Sequence, residues 1–191
     1  MNNSSHSFLP DGYREAAKID LDNDQKLATR INMSSLMVMV PFAMVLLIMY
    51  VNGGAVSFDM GLNGWLTFVV AMVLVMLVHE LVHGLFFRIF SPNGKVKFGV
   101  NSMMAYAGNP DAYYSRSAFT VIALAPAVII DIALIASLLF LRDTTFYLAY
   151  MVLAIHTGGC VGDFYAVKTA HKLKGDVLVC DTGTMQTFYC K

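Results

Sequence analysis

Four apolar runs constrain this chain more than anything else in it. They cover residues 33–51, 65–90, 118–141 and 145–168. Each is near the roughly 20 residues that a helix needs to cross the hydrocarbon of a bilayer. Hydrocarbon offers the backbone no hydrogen-bond partner, so a single apolar run can cross it only as a helix. The runs predict an all-α membrane protein with four transmembrane helices. Only 14% of the 191 residues are charged, against about 25% in a typical soluble domain. Net charge is formally zero, so no basic field points to nucleic acid. The partner that the composition implies is the lipid bilayer, and nothing in it bears on oligomeric state.

Basic residues orient the four helices. With the N-terminus in the cytoplasm, every Lys and Arg except Arg142 falls on the inner side. The 52–64 connection has none. This asymmetry satisfies the positive-inside rule and predicts both termini in the cytoplasm. Residues 1–32 are polar and mixed in charge, unlike a signal peptide. The predicted organisation is a cytoplasmic segment over 1–32, a four-helix membrane domain over 33–170 and a cytoplasmic tail over 171–191. Pro41 and Pro126 fall inside the first and third helices, where neighbouring helices can satisfy the freed carbonyls. Asn52-Gly53-Gly54 and the glycines at 61 and 64 read as an outer turn.

Short β-hairpins are predicted on the cytoplasmic side. Lys95-Val96-Lys97-Phe98-Gly99-Val100 alternates polar and apolar, and Asn101-Ser102 can turn it into Met103-Met104-Ala105-Tyr106-Ala107. In the tail, segments 176–180 and 185–189 flank the turn-forming Asp181-Thr182-Gly183-Thr184. Three cysteines, without a Cys-x-x-Cys pair, give no disulfide or thiolate framework.

The second apolar run contains His79-Glu80-Leu81-Val82-His83. Residues four apart share a helical face, so both imidazoles can bind one metal ion. Glu80 beside them is the candidate general base. Ionisable groups are expensive in a membrane helix and mark a functional site there. Zinc of the catalytic type takes three protein ligands and a water. Asp163, His156 and Asp131 are the candidates for the third ligand, and depth separates them. His83 lies five residues before Arg88, and Asp163 lies five before Lys168 on a helix running the same way. Asp163 therefore sits at the level of the histidines. His156 lies two turns deeper than Asp163, roughly 10 Å along the axis, on the same face. It is an accessory candidate that can orient Asp163, stabilise an oxyanion or hydrogen-bond within the core. Asp131, near mid-membrane, is too deep for a ligand and reads as an acid bonded to a neighbouring helix. Gly158, Gly159 and Gly162 allow close helix approach around this level.

His-Glu-Leu-Val-His-Gly at 79–84, Ala-Leu-Ala-Pro at 123–126, Gly162-Asp163 and Asp181-Thr182-Gly183 resemble the bacterial putative zincin peptidase family of small membrane proteins. The resemblance spans most of residues 65–190. Its logic is similar to that of site-2 proteases, in which HExxH on one membrane helix and an aspartate on another hold zinc near the cytoplasmic side. A membrane-associated β element there positions an extended substrate. His79, Glu80 and His83 match that motif position for position. Asp163 matches its aspartate in role, with Gly-Asp here in place of Asp-Gly. The resemblance implies one zinc ion per chain, a bacterial cytoplasmic membrane and hydrolysis of a membrane protein or peptide substrate. Lys95, Val96, Lys97, Phe98, Met103 and Met104 are the candidates for pairing with the substrate strand. The alternative is a non-enzymatic metal-binding or regulatory membrane protein derived from such a peptidase. Glu80 separates the two, because a metal scaffold has no use for an unligated carboxylate beside its histidines.

Overall fold

The structure is a computed structural model, and it describes residues 4–52, 61–100 and 105–191. Two short strands come first, β1 (Ser5–His6) and β2 (Arg14–Asp20). Helix α1 (Gln25–Val51) follows, then α2 (Gly61–Phe90). Strands β3 (Lys97–Val100) and β4 (Ala105–Ser115) lead into α3 (Arg116–Leu138). Helices α4 (Asp143–Gly159) and α5 (Val161–Lys172) precede the last strands, β5 (Val177–Asp181) and β6 (Met185–Cys190).

Among the described residues, four helical stretches are long and apolar enough to cross a membrane: α1, α2, α3 and the α4–α5 pair over Asp143–Lys172. None of the best apolar stretch of α1 or α2 is buried within the protein. Leu62, Leu66, Val69 and Leu74 on α2, like Leu36, Met37 and Leu47 on α1, face outward. That much exposed apolar surface is stable only against another apolar phase.

The helices begin and end where the local chemistry allows. Asp24 caps α1 by accepting from the Leu27 N–H, at 2.9 Å, so the helix starts eight residues before its apolar run. Ser115 caps α3 by accepting from the Ala118 N–H. The glycines at 61 and 64 do not form a turn as expected. They lie in the first turn of α2, with Gly61 at a φ of +53°. Residues 53 and 54 lie outside the described residues. The fourth apolar run is interrupted at Cys160, between α4 and α5, just after Gly158 and Gly159, which favour helix ends. Gly158 also lets α1 come close, since a Cβ there would lie 2.5 Å from the Met39 Cε.

The all-α expectation is corrected by a six-stranded antiparallel sheet, ordered β1-β4-β5-β6-β2 with β3 on β4. The two expected hairpins are present, as β3–β4 and β5–β6, but they belong to one sheet. Arg14 to Asp20, read as part of a polar segment, pairs with β6 from Cys190 to Met185. The hairpin strand after the 101–104 connection runs on to Ser115 through Gly108-Asn109-Pro110-Asp111. These residues usually end strands. Here the register shifts between Asn109 and Tyr114, and such an irregularity tolerates a residue without an N–H.

One core joins the sheet to the helix ends. Ile19, Val177, Val179 and Phe188 from the sheet pack with Phe87 of α2, Phe119 and Ile122 of α3 and Ala166 and Ala170 of α5. Phe119 and Phe188 meet edge to face, 6.0 Å between centroids. Tyr114 is fully buried; its hydroxyl accepts from Asn109 Nδ2 at 2.7 Å and donates to the Phe87 carbonyl at 3.3 Å. This ties β4 to the last turns of α2, directly below the His79–His83 segment.

Candidate metal centre

His79 and His83 lie one turn apart on α2, and their Nε2 atoms are 3.1 Å from each other. Asp163, on the first turn of α5, turns one oxygen to each ring. Its Oδ2 is 3.4 Å from His79 Nε2, and its Oδ1 is 3.5 Å from His83 Nε2. Ligands about 2.0–2.2 Å from a tetrahedral zinc are about 3.3–3.6 Å apart. Two imidazole nitrogens and a carboxylate at these separations fit one face of such a site and leave the fourth position open. Of the three aspartate and histidine candidates, the structure brings Asp163 to this triangle. Asp131 stays out of it, in the α3–α4 contact.

The other nitrogen of each ring is also engaged. His83 Nδ1 is 3.0 Å from the Ile122 carbonyl on α3. A carbonyl accepts, so Nδ1 carries the proton and Nε2 keeps its lone pair toward Asp163. Ile122 is four residues before Pro126. Proline has no N–H to give the carbonyl four residues back, which leaves the Ile122 oxygen open to His83. His79 Nδ1 lies 3.1 Å from His156 Nε2. His156 Nδ1 lies 2.6 Å from Asp131 Oδ1, and Thr157 Oγ1 lies 3.0 Å from Asp131 Oδ2. The accessory residue His156 thus meets His79 and Asp131. Cys160 Sγ is 4.0 Å from His79 Nδ1 and 3.9 Å from His156 Nε2, and the residue is fully buried.

A cavity of about 570 Å³ opens beside the triangle. Glu80, His79, His83 and Asp163 line one wall; Ala105, Tyr106 and Ala107 of β4 and Asp181, Gly183 and Gln186 of the β5–β6 hairpin line another. The Ala107 backbone N–H hydrogen-bonds to the Glu80 carboxylate. The sheet therefore reaches the catalytic candidate directly. Of the expected strand-pairing residues, Lys97 and Phe98 lie in β3, and Lys95 and Val96 precede it. The described cavity wall takes in Ala105, Tyr106 and Ala107 of β4, from the second of the two expected hairpin strands. The Phe98 ring packs on Gly84, where a Cβ would collide with it. Met103 and Met104 lie outside the described residues.

Residues 71–178, more than half of the chain, match the family described as putative zincin peptidase. The chain belongs to this family. No curated protein and no solved structure matches it. The zincin match takes in His79, Glu80, His83, Asp163, His156 and Asp131, and all of β3, β4 and α3. It stops before Asp181, which the sequence offered as part of a turn and of the Asp181-Thr182-Gly183 resemblance, without a role in the site. Asp181 accepts from the Gly183 N–H at 2.8 Å and is buried. Burial pushes its carboxyl up to about 7, against the opposing pull of that N–H and of His83. Its place at the cavity wall depends on a long-range strand pairing, Asn109 with Asp181, that local pattern does not encode. A zincin implies zinc, and among the described residues His79, His83 and Asp163 are one group of donors that could hold it.

Proposed function

We propose that this chain is an intramembrane zinc metallopeptidase that hydrolyses peptide bonds of membrane-associated substrates near the cytoplasmic face. The observation that carries the reading is the position of Asp163: one carboxylate oxygen near each histidine Nε2, with Glu80 in the wall of the same cavity. His79, His83 and Asp163 would hold one zinc ion per chain. Zinc bound there would lower the pKa of a water ligand and polarise the scissile carbonyl.

The residues of the chain do the rest. Glu80 takes a proton from the attacking water on its carboxylate and returns it to the departing amide nitrogen. His83 is held toward the site by its Nδ1–H bond to the Ile122 carbonyl. A helical substrate keeps its amides in internal hydrogen bonds, so it must unwind before cleavage. An unwound segment can add to a strand edge, which gives affinity through backbone hydrogen bonds. Ala105 and Ala107, lining the cavity with Glu80, support the β4 edge as that place, in preference to Lys95, Val96, Lys97 and Phe98.

The test uses the full chain in detergent or proteoliposomes, with a membrane-anchored reporter peptide and metal analysis. Glu80→Gln is expected to keep one zinc per chain and to lose cleavage by at least about a hundredfold, the range for a positioned acid–base group. Undiminished cleavage by Glu80→Gln would remove the general-base role. Zinc without cleavage in the unaltered chain would favour the regulatory, non-enzymatic alternative.

A further inference from the structure

We infer that His156 and Asp131 form the outer shell of the metal centre, holding the His79 ring through its far nitrogen without binding the ion themselves. This rests on the zinc reading of the triangle and extends it to two residues that take no part in the hydrolysis described above.

The hydrogen bonds lead inward from Asp131 to His79. Asp131 Oδ1 and His156 Nδ1 are 2.6 Å apart, a charge-assisted separation. A carboxylate accepts, so the proton sits on His156 Nδ1. That leaves a lone pair on His156 Nε2, 3.1 Å from His79 Nδ1. His79 Nε2 faces Asp163 and His83, so with an ion on that side the His79 proton is at Nδ1. His79 then donates to His156, and His156 donates to Asp131. Thr157 Oγ1 lies 3.0 Å from the remaining Asp131 oxygen. Each polar atom of the chain has a partner, which is the condition for tolerating a buried polar network. A network serving only to bond α3 to α4 has no reason to end on a ligand nitrogen. Metal-binding histidines characteristically donate their other N–H to such an acceptor, which fixes the tautomer and the ring orientation. His83 has the backbone carbonyl of Ile122 for this purpose, and His79 has His156.

Cys160 offers a competing arrangement. His79, His156 and Cys160 form a second group of three donors. An ion there in addition to one in the triangle would require His79 to bridge through both nitrogens, losing both ring protons. The hydrogen-bonded chain requires no such loss, and it also accounts for Asp131.

The experiment measures zinc stoichiometry and affinity of the full chain in detergent by competition with a chromogenic chelator. Asp131→Leu/His156→Leu removes the whole chain without stranding either partner. It is expected to weaken zinc about 10- to 100-fold, the usual cost of an outer-shell partner. His156→Gln, with an Oε1 able to accept from His79, should recover much of that loss. Cys160→Ala should bind one zinc with unaltered affinity. Cobalt(II) in place of zinc should show altered visible bands in the double variant and near-normal bands in His156→Gln, which a loss of packing alone would not produce. If the double variant fails to fold, His156→Phe, which keeps a ring without an acceptor, is read the same way. Wild-type affinity in the folded acceptor-free variant overturns this inference alone. So do two ions per chain with one lost in Cys160→Ala. An unaltered chain that binds no zinc overturns the metal reading of the triangle as well.

Discussion

A carboxylate that lines an apolar cavity titrates far from its usual range, and Asp181 is such a group. Its carboxyl is pushed up to about 7 because burial disfavours the charge. The Gly183 N–H, the Gln186 side chain and His83 oppose the shift, and Asp163 adds to it. In the unfolded chain the same group ionises near its ordinary value of 3.8. Between these values the folded state holds a proton that the unfolded state has released. Its contribution to stability is therefore full below about pH 4 and is lost as pH rises through about 7. Asp181→Asn keeps an oxygen for the Gly183 N–H and removes the titration. The melting temperature of the variant relative to wild type, in metal-free detergent solution, is expected to rise from pH 5 to pH 8. A difference independent of pH would show that Asp181 is not held in its neutral form. At this scale the sequence brings out His79, Glu80 and His83 by spacing and Asp163 by depth, and the structure places all four on one cavity. The sequence reads less fully for Asp181: Asp-Thr-Gly carries part of the family resemblance, but the burial of its carboxylate beside the cavity follows only once β4 is laid against β5. His156 lies between these cases. Its depth is legible from helix rise, but its partner is not, since a rise per residue does not say toward which helix a ring points.

Helix α3 serves the centre more than its apolar sequence suggests. Ile122 and Asp131 both supply acceptors, one directly to His83 and one through His156 to His79. Pro126 makes the first possible by withholding an N–H from the Ile122 carbonyl. Pro126→Ala restores that donor and sets it in competition with His83 Nδ1–H. A carbonyl has two lone pairs, so the competition is partial. Zinc affinity is expected to fall several-fold, with helix content by circular dichroism unaltered. Unaltered affinity would mean that the proline shapes α3 without tuning His83. From sequence, Pro126 is recognisable as a break in the hydrogen-bond ladder, but the side chain that uses the break is 43 residues away by number and cannot be read from local pattern. The strands show the same division. Alternation in Lys97-Phe98-Gly99-Val100 exposes β3, and the Asp181–Thr184 turn exposes the β5–β6 hairpin. Arg14 to Asp20 alternates too weakly to announce β2, which is held by its pairing with β6 and by Ile19 in the core.

The sheet constrains the topology of the whole molecule. Its strands come from before α1, from between α2 and α3, and from after α5, yet they hydrogen-bond into a single sheet. The three segments must then lie on one side of any membrane that the helices cross. An even number of crossings between successive segments meets this condition: α1 and α2 separate β2 from β3, and α3 and the α4–α5 pair separate β4 from β5. The same side collects the basic residues Arg14, Lys18, Lys95, Lys97, Arg116, Lys172 and Lys174, while Arg142 lies at the opposite end between α3 and α4. Geometry fixes which segments go together, and the charge asymmetry predicts that they face the cytoplasm. Single cysteines placed by Lys97→Cys and Arg142→Cys, in a chain with Cys180 and Cys190 replaced by alanine, separate the two statements. A membrane-impermeant maleimide is expected to label position 142 in intact bacterial cells with the outer barrier opened, and position 97 only after the inner membrane is permeabilised. The reverse pattern would turn the molecule over while leaving its sheet intact. Labelling of both positions in intact cells would be incompatible with a sheet on one side of four crossings.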